Sequence, residues 1–202
     1  GKNFPPPYDE LVHLPFYLHV PGIAEGGRCT QLAATVDIAP TLLELFDVDP
    51  APMGEMDGRS LLPALKGEAV RELALFGIHG GYIGITDGLT TYLKAEQNED
   101  APLYEYTLMP TNMRGYFSED QLRHGELVKG NRFTNGIPCI RYPAVKIYPT
   151  SKMKDRLYDL EKDPAQLKNL TGSPEEAIWK DKLTDALKQV QAPQEEFFRL
   201  GL

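Results

Sequence analysis

The sequence predicts an α/β protein, and three patterns carry that expectation. Apolar residues alternate in several short segments, they recur at helical spacing near the end of the chain, and an Asp-Gly pair separates two of the alternating segments. In the first such segment, Leu14, Phe16, Leu18 and Val20 fall on one strand face, with Tyr17 on the other. It reads as a buried strand that Pro21-Gly22 ends. Asp37 reads as the N-cap of a helix to Leu45 or Phe46, because Pro40 lies in the first turn, where a missing N–H costs no hydrogen bond. Ile38, Leu42, Leu45 and Phe46 form its expected buried stripe. Ser60 to Leu65, between Gly58 and Gly67, reads as a short apolar lid.

Leu73 to His79, Tyr82 to Thr86 and Leu89 to Lys94 follow as β-type segments, with Asp87-Gly88 as a two-residue hairpin turn between the last two. From Glu96 to Pro143 the periodicity is poor. The exception is Ser118, whose partner Gln121 completes a capping box ahead of a stop at Gly125. Ala144 to Tyr148 and Arg156 to Leu160 read as strands. Ser173-Pro174-Glu175-Glu176 then supplies an N-cap, a proline at the first helical position and first-turn acids. The helix it opens carries Trp179, Leu183, Ala186, Leu187 and Val190 as one stripe expected to pack on the preceding strands.

Composition excludes some functions. The 202 residues hold 21 Lys and Arg against 29 Asp and Glu, a net charge of −8, and no basic cluster gathers to neutralise a phosphate backbone. Nucleic acid is therefore not an expected partner. No apolar run reaches the roughly 18 residues of a membrane span, so no such span is expected. Cys29 and Cys139 are too few and too far apart for a disulfide framework or a zinc motif, and read as ordinary thiols. His13 and His19, six positions apart on the expected strand, would lie roughly 20 Å apart and could not share one ion. The acidic runs at Glu96 to Asp100 and at Glu195-Glu196 read as solvated faces.

Four segments, in order, resemble the C-terminal half of the sulfatases of the alkaline-phosphatase-like superfamily. They are Tyr8-Asp9-Glu10 through Pro21-Gly22, Val36-Asp37-Ile38-Ala39-Pro40-Thr41, Met56-Asp57-Gly58-Arg59-Ser60-Leu61, and Leu157-Tyr158-Asp159-Leu160 through Asn169-Leu170. The stretch from Gly77 to Lys94 and around Thr107 to Thr111 is similar to a bacterial, arylsulfatase-like subgroup. The resemblance implies strands of a large α/β sheet over residues 1–95. Over 96–202 it implies a long loop region and a small antiparallel sheet packed by a C-terminal helix.

It also implies a hydrolase of sulfate esters whose parent enzyme needs Ca²⁺ or Mg²⁺ and a formylglycine made from Cys or Ser. Neither cysteine here stands in the required Cys/Ser-x-Pro/Ala-x-Arg frame, and no metal ligands or catalytic residues are expected within this chain. The chain alone is expected to be inactive, serving as scaffold and part of the wall around a small-molecule or glycan sulfate ester. Two residues are candidates for substrate binding. Gly1-Lys2 resembles a Gly-Lys pair that places an ammonium on the sulfate, and His79, ahead of Gly80-Gly81, sits where backbone can approach a ligand closely. Two other readings stay open: a phosphate or phosphonate ester hydrolase of the same superfamily, and a non-catalytic binding domain. An uncovered sheet would also allow self-association.

Overall fold

The structure, a computed structural model, describes residues 5–22, 26–109, 111–112, 115–146 and 153–202. A short helix, α1 (Asp9–Val12), is followed by α2 (Ile38–Leu45), which a 3-10 turn at Thr35–Asp37 leads into. Next come β1 (Ala74–Gly77), β2 (Ile83–Thr86) and β3 (Thr90–Lys94), which form an antiparallel meander. Its fourth strand is β9 (Arg156–Asp159), paired along β3 with Tyr92 opposite Leu157. Helix α4 (Pro174–Gln189) packs across this sheet. Ile85, Tyr92 and Leu157 from the strands meet Trp179, Leu183 and Leu187 from α4 and Leu200 from α5 (Gln194–Leu200) in one cluster. The periodic stripe on α4 buries as expected, since residues three and four apart share a helix face.

Between β3 and β9 lies a second sheet. β4 (Tyr104–Thr107) pairs with β8 (Cys139–Pro143), which pairs with β7 (Glu126–Val128), in the order β4-β8-β7. A two-stranded ribbon, β5 (Thr111–Asn112) with β6 (Gly115–Tyr116), and α3 (Glu119–Arg123) complete the region. Ser118 and Gln121 cap α3 reciprocally, as their spacing requires. All strand pairs among the described residues are antiparallel. The chain is thus a mixed helix and sheet protein, compatible with the α/β expectation.

Several expectations are corrected. Residues 14–20 form no strand: Leu14, Phe16 and Tyr17 are exposed, Tyr17 by 92%, and only Val20 is buried. Alternating apolar residues need a neighbouring ladder to bury against, and none runs beside this segment among the described residues. Helix α2 forms where expected, yet its stripe is uncovered, with Ile38, Leu42 and Phe46 exposed. The hairpin turn centres one residue later, on Gly88-Leu89, because Asp87 pairs with Thr90 and Gly88 takes the positive φ of +91°. The strand expected at Ala144 to Tyr148 lies earlier, at Cys139–Pro143; residues 147–148 fall outside the described residues. Ser173 precedes α4 without capping it by its side chain; Glu176 instead accepts from the Gly172 N–H at 2.6 Å.

The acidic runs are not simply solvated. Glu96 is buried and accepts from Lys146 Nζ at 2.6 Å, while Glu195 and Glu196 belong to α5, where each has a partner.

Candidate functional site

The loop between β1 and β2 carries His79. Two backbone bonds tighten it, Ile78 N–H to Tyr82 O at 3.0 Å and Gly81 N–H to Ile78 O at 2.7 Å. Gly80 has φ +70°, and a β-carbon there would stand 2.7 Å from Leu103 Cδ2, so a side chain at this point would strain the turn and displace the Leu103 methyl. From the other side, the buried Arg199 of α5 donates through Nη1 to Gly81 O at 2.9 Å. Its Nε and Nη2 donate to Glu196 at 2.9 and 2.5 Å, so the charge is matched as it is buried.

The same helix holds the facing strand. Glu195 accepts from the Tyr106 hydroxyl of β4, and burial followed by that carboxylate pushes the Tyr106 phenol up to about 12. His79 reaches β4 as well: its Nε2 donates to Tyr104 O at 3.1 Å. Arg141 of β8 lies over the Tyr104 ring, 4.5 Å from its centre, and donates to Glu126 at 2.5 Å. Between loop and strand opens a cleft of about 440 Å³, lined by His79, Tyr104, Glu105, Tyr106, Thr111 and Phe117 among others. That volume falls within the range of small-molecule sites. The cleft offers ring faces, a carboxylate, an imidazole and hydroxyls, which suit binding and orientation.

Lys2, the other expected binding residue, lies outside the described residues. Among the described residues no three His, Cys, Asp or Glu side chains gather as they would around a metal ion. His13 sits 3.2 Å from Asp9, and His19 is exposed. Cys139 is buried, whereas Cys29 is exposed. No helix among the described residues is long and apolar enough to cross a membrane.

A second polar centre is architectural. The fully buried Asp37 accepts from the backbone N–H of Ala34 at 2.8 Å and of Arg59 at 2.9 Å, and from Arg71 Nε at 2.8 Å. Burial pushes its carboxyl up, but these donors outweigh it and hold the carboxyl below its ordinary value. Thr41 continues the net, donating to Asp37 O and accepting from Leu61 N–H. This ties the Asp-Gly-x-Ser segment to the start of α2.

Sequence reasoning singled out His79 but missed every β4 residue that faces it. The signal was present as the alternation Tyr104-Glu105-Tyr106-Thr107, rich in β-formers.

No family model matches the chain. Curated proteins do match in part. Over 74 residues it is 42% identical to the extracellular sulfatase SULF-1 homolog of Drosophila melanogaster, and over 62 residues 42% identical to a putative extracellular sulfatase Sulf-1 homolog of Caenorhabditis elegans. Over 170 residues, 83% of the chain, it is 26% identical to a Delta 4,5-hexuronate-2-O-sulfatase of Bacteroides thetaiotaomicron. These matches relate the chain to sulfatases. They cover 6%, 8% and 26% of those relatives' own lengths, so the chain spans about a quarter of the bacterial one and under a tenth of the others.

Proposed function

We propose that this chain is the C-terminal part of a bacterial, arylsulfatase-like sulfatase that hydrolyses sulfate esters, and that it supplies scaffold and part of the substrate wall. The observation that carries the structural role is α2. Its base is clamped by the buried Asp37–Arg71 pair while Ile38, Leu42 and Phe46 stand uncovered, Phe46 by 75%. A helix so firmly placed with its apolar stripe in water is built to be packed upon. The packing element is the part of the enzyme that carries nucleophile and ion. On this reading the cleft beside His79 borders the substrate, and Lys2 offers its ammonium to the sulfate. The sugar acted on by the hexuronate sulfatase makes a glycan sulfate the favoured substrate class.

A Ca²⁺ or Mg²⁺ ion and a formylglycine would supply the charge stabilisation and the nucleophile in the whole enzyme. The described residues offer no ligand set for the ion, so the chain's own contribution is to bind and position. The test is an aryl sulfate assay of the isolated chain with its metal content measured. The expected result is no turnover and no stoichiometric divalent ion; turnover with a bound ion overturns the proposal.

A further inference from the structure

The cleft beside His79 runs along an unpaired strand edge. β4 is the outer strand of its sheet, and among the described residues nothing pairs along its far side. Which backbone groups face that side follows from the ladder. Ala144 N–H donates to Leu103 O at 2.8 Å, and Tyr104 stands opposite Pro143, which has no N–H to give. In an antiparallel pair the bonding residues alternate, so Leu103, Glu105 and Thr107 turn their backbone groups to β8, while Tyr104 and Tyr106 turn theirs to the cleft. The bond from His79 to Tyr104 O agrees with this phase. It places a proton on Nε2 and leaves Nδ1 outside that bond.

The cleft therefore presents the Tyr104 N–H, the Tyr106 N–H and C=O, the His79 Nδ1, and the Glu105 carboxylate, which has no hydrogen-bond partner among the described residues. Tyrosine rings frame these groups. Donors and acceptors close together beside aromatic faces match the hydroxyls and C–H face of a sugar ring. The charge decides which sugar. Glu105 lines the cleft, Glu195 stands behind Tyr106, and among the described residues the guanidiniums at its walls are engaged, Arg141 with Glu126 and the Tyr104 ring and Arg199 with Glu196 and Gly81 O. Among the described residues, a sulfate group here would meet carboxylate with no unpaired Lys or Arg to offset it.

We propose that the open edge of β4 is a saccharide subsite that takes an uncharged pyranose ring. Resting on the sulfatase reading above, this assigns the cleft to a sugar unit next to the sulfated one and not to the sulfate itself. Both Arg199 and Glu195 hold the subsite through α5, so its two walls are positioned by one helix.

The test is a titration of the ¹⁵N-labelled chain with methyl β-glucoside, with its 6-sulfate, and with an extended polyalanine-based peptide, followed by amide shifts. The glucoside is expected to move the Tyr104 and Tyr106 amides in saturable fashion. Its sulfate should bind about five-fold more weakly, the effect of one like charge at contact distance in water. Glu105→Gln should narrow that difference, and His79→Ala should weaken the glucoside while leaving amides of the α4 core unmoved. Absence of saturable shifts with the glucoside overturns the proposal. So does equal or tighter binding of the sulfate, or a response to the peptide alone, which would mark the edge as a strand-addition site. Because binding and not turnover is read, failure here leaves the sulfatase reading standing, and loss of that reading leaves a measured glucoside affinity intact.

Discussion

Arg199, fully buried, donates to the Gly81 carbonyl at 2.9 Å across 118 residues of chain. That bond couples the terminal helix to the loop of His79. Replacing it as Arg199→Met removes the bond and leaves Glu196 without its cation. Breaking one side of a buried pair costs about 3–5 kcal/mol, with Glu196 relieving part of it through its own access to water. The drop should appear in denaturant unfolding followed by Trp179, the one tryptophan of the chain. The His79 ring resonance should shift at the same time, since its loop loses an anchor.

Asp37 sets the acid limit of the fold. Its folded-state carboxyl is held below the ordinary value, so it contributes stability above the unfolded value of about 3.9 and loses it as pH falls through the folded one. Asp37→Asn should lower stability at neutral pH by about 3–5 kcal/mol, because Arg71 is left buried without a counter-charge. The same substitution should flatten the fall in stability below pH 4, as measured by denaturation midpoints across pH.

Tyr106 responds at the other end of the scale. Burial, and then the Glu195 carboxylate, push its phenol up to about 12, so the protonated phenol's contribution to stability is present below pH 10 and is lost as pH rises through 12. Tyrosinate absorbance should lose a group titrating at about 12 in Tyr106→Phe, while the phenols of Tyr8 and Tyr92, also held above their ordinary value, stay late. Glu195→Gln should bring that group back toward 10.

The uncovered α2 stripe separates folding from assembly. Phe46→Ser should change the stability of the chain by no more than about 0.5 kcal/mol, since the ring is already in water. It should nonetheless lower binding of a hydrophobic dye and weaken any self-association. A large loss of stability would mean that Phe46 is packed in solution, against the role given to α2.

Local patterns in the sequence were legible where the structure answers them locally. The stripe from Trp179 to Leu187 and the capping box at Ser118 need only neighbours three and four residues away, and both form. The meander at β1 to β3 was readable for the same reason, down to a turn displaced by one residue. Pairings over long separations were not readable. β4 meets β8 across separations of 33 positions, at Thr107 opposite Ile140, to 39, at Tyr104 opposite Pro143, and nothing local marks that choice. Glu96 looked like a solvated acid because Lys146, which pairs with it, is remote in sequence. Helix α5 carried its signals, Pro193 before Gln194 and two glutamates, yet was read only as charge. The segment from Leu14 to Val20 shows the converse: a strand pattern whose partner strand does not stand beside it.

The central claim is that this chain serves a sulfatase. The most direct measurement is release of inorganic sulfate from p-nitrophenyl sulfate, against phosphate from p-nitrophenyl phosphate, by the full-length protein. Sulfate release is expected to dominate and to fall with Asp37→Asn in step with the folded fraction. Dominant phosphate release, or no hydrolysis of either ester by a folded and metal-loaded protein, would contradict it.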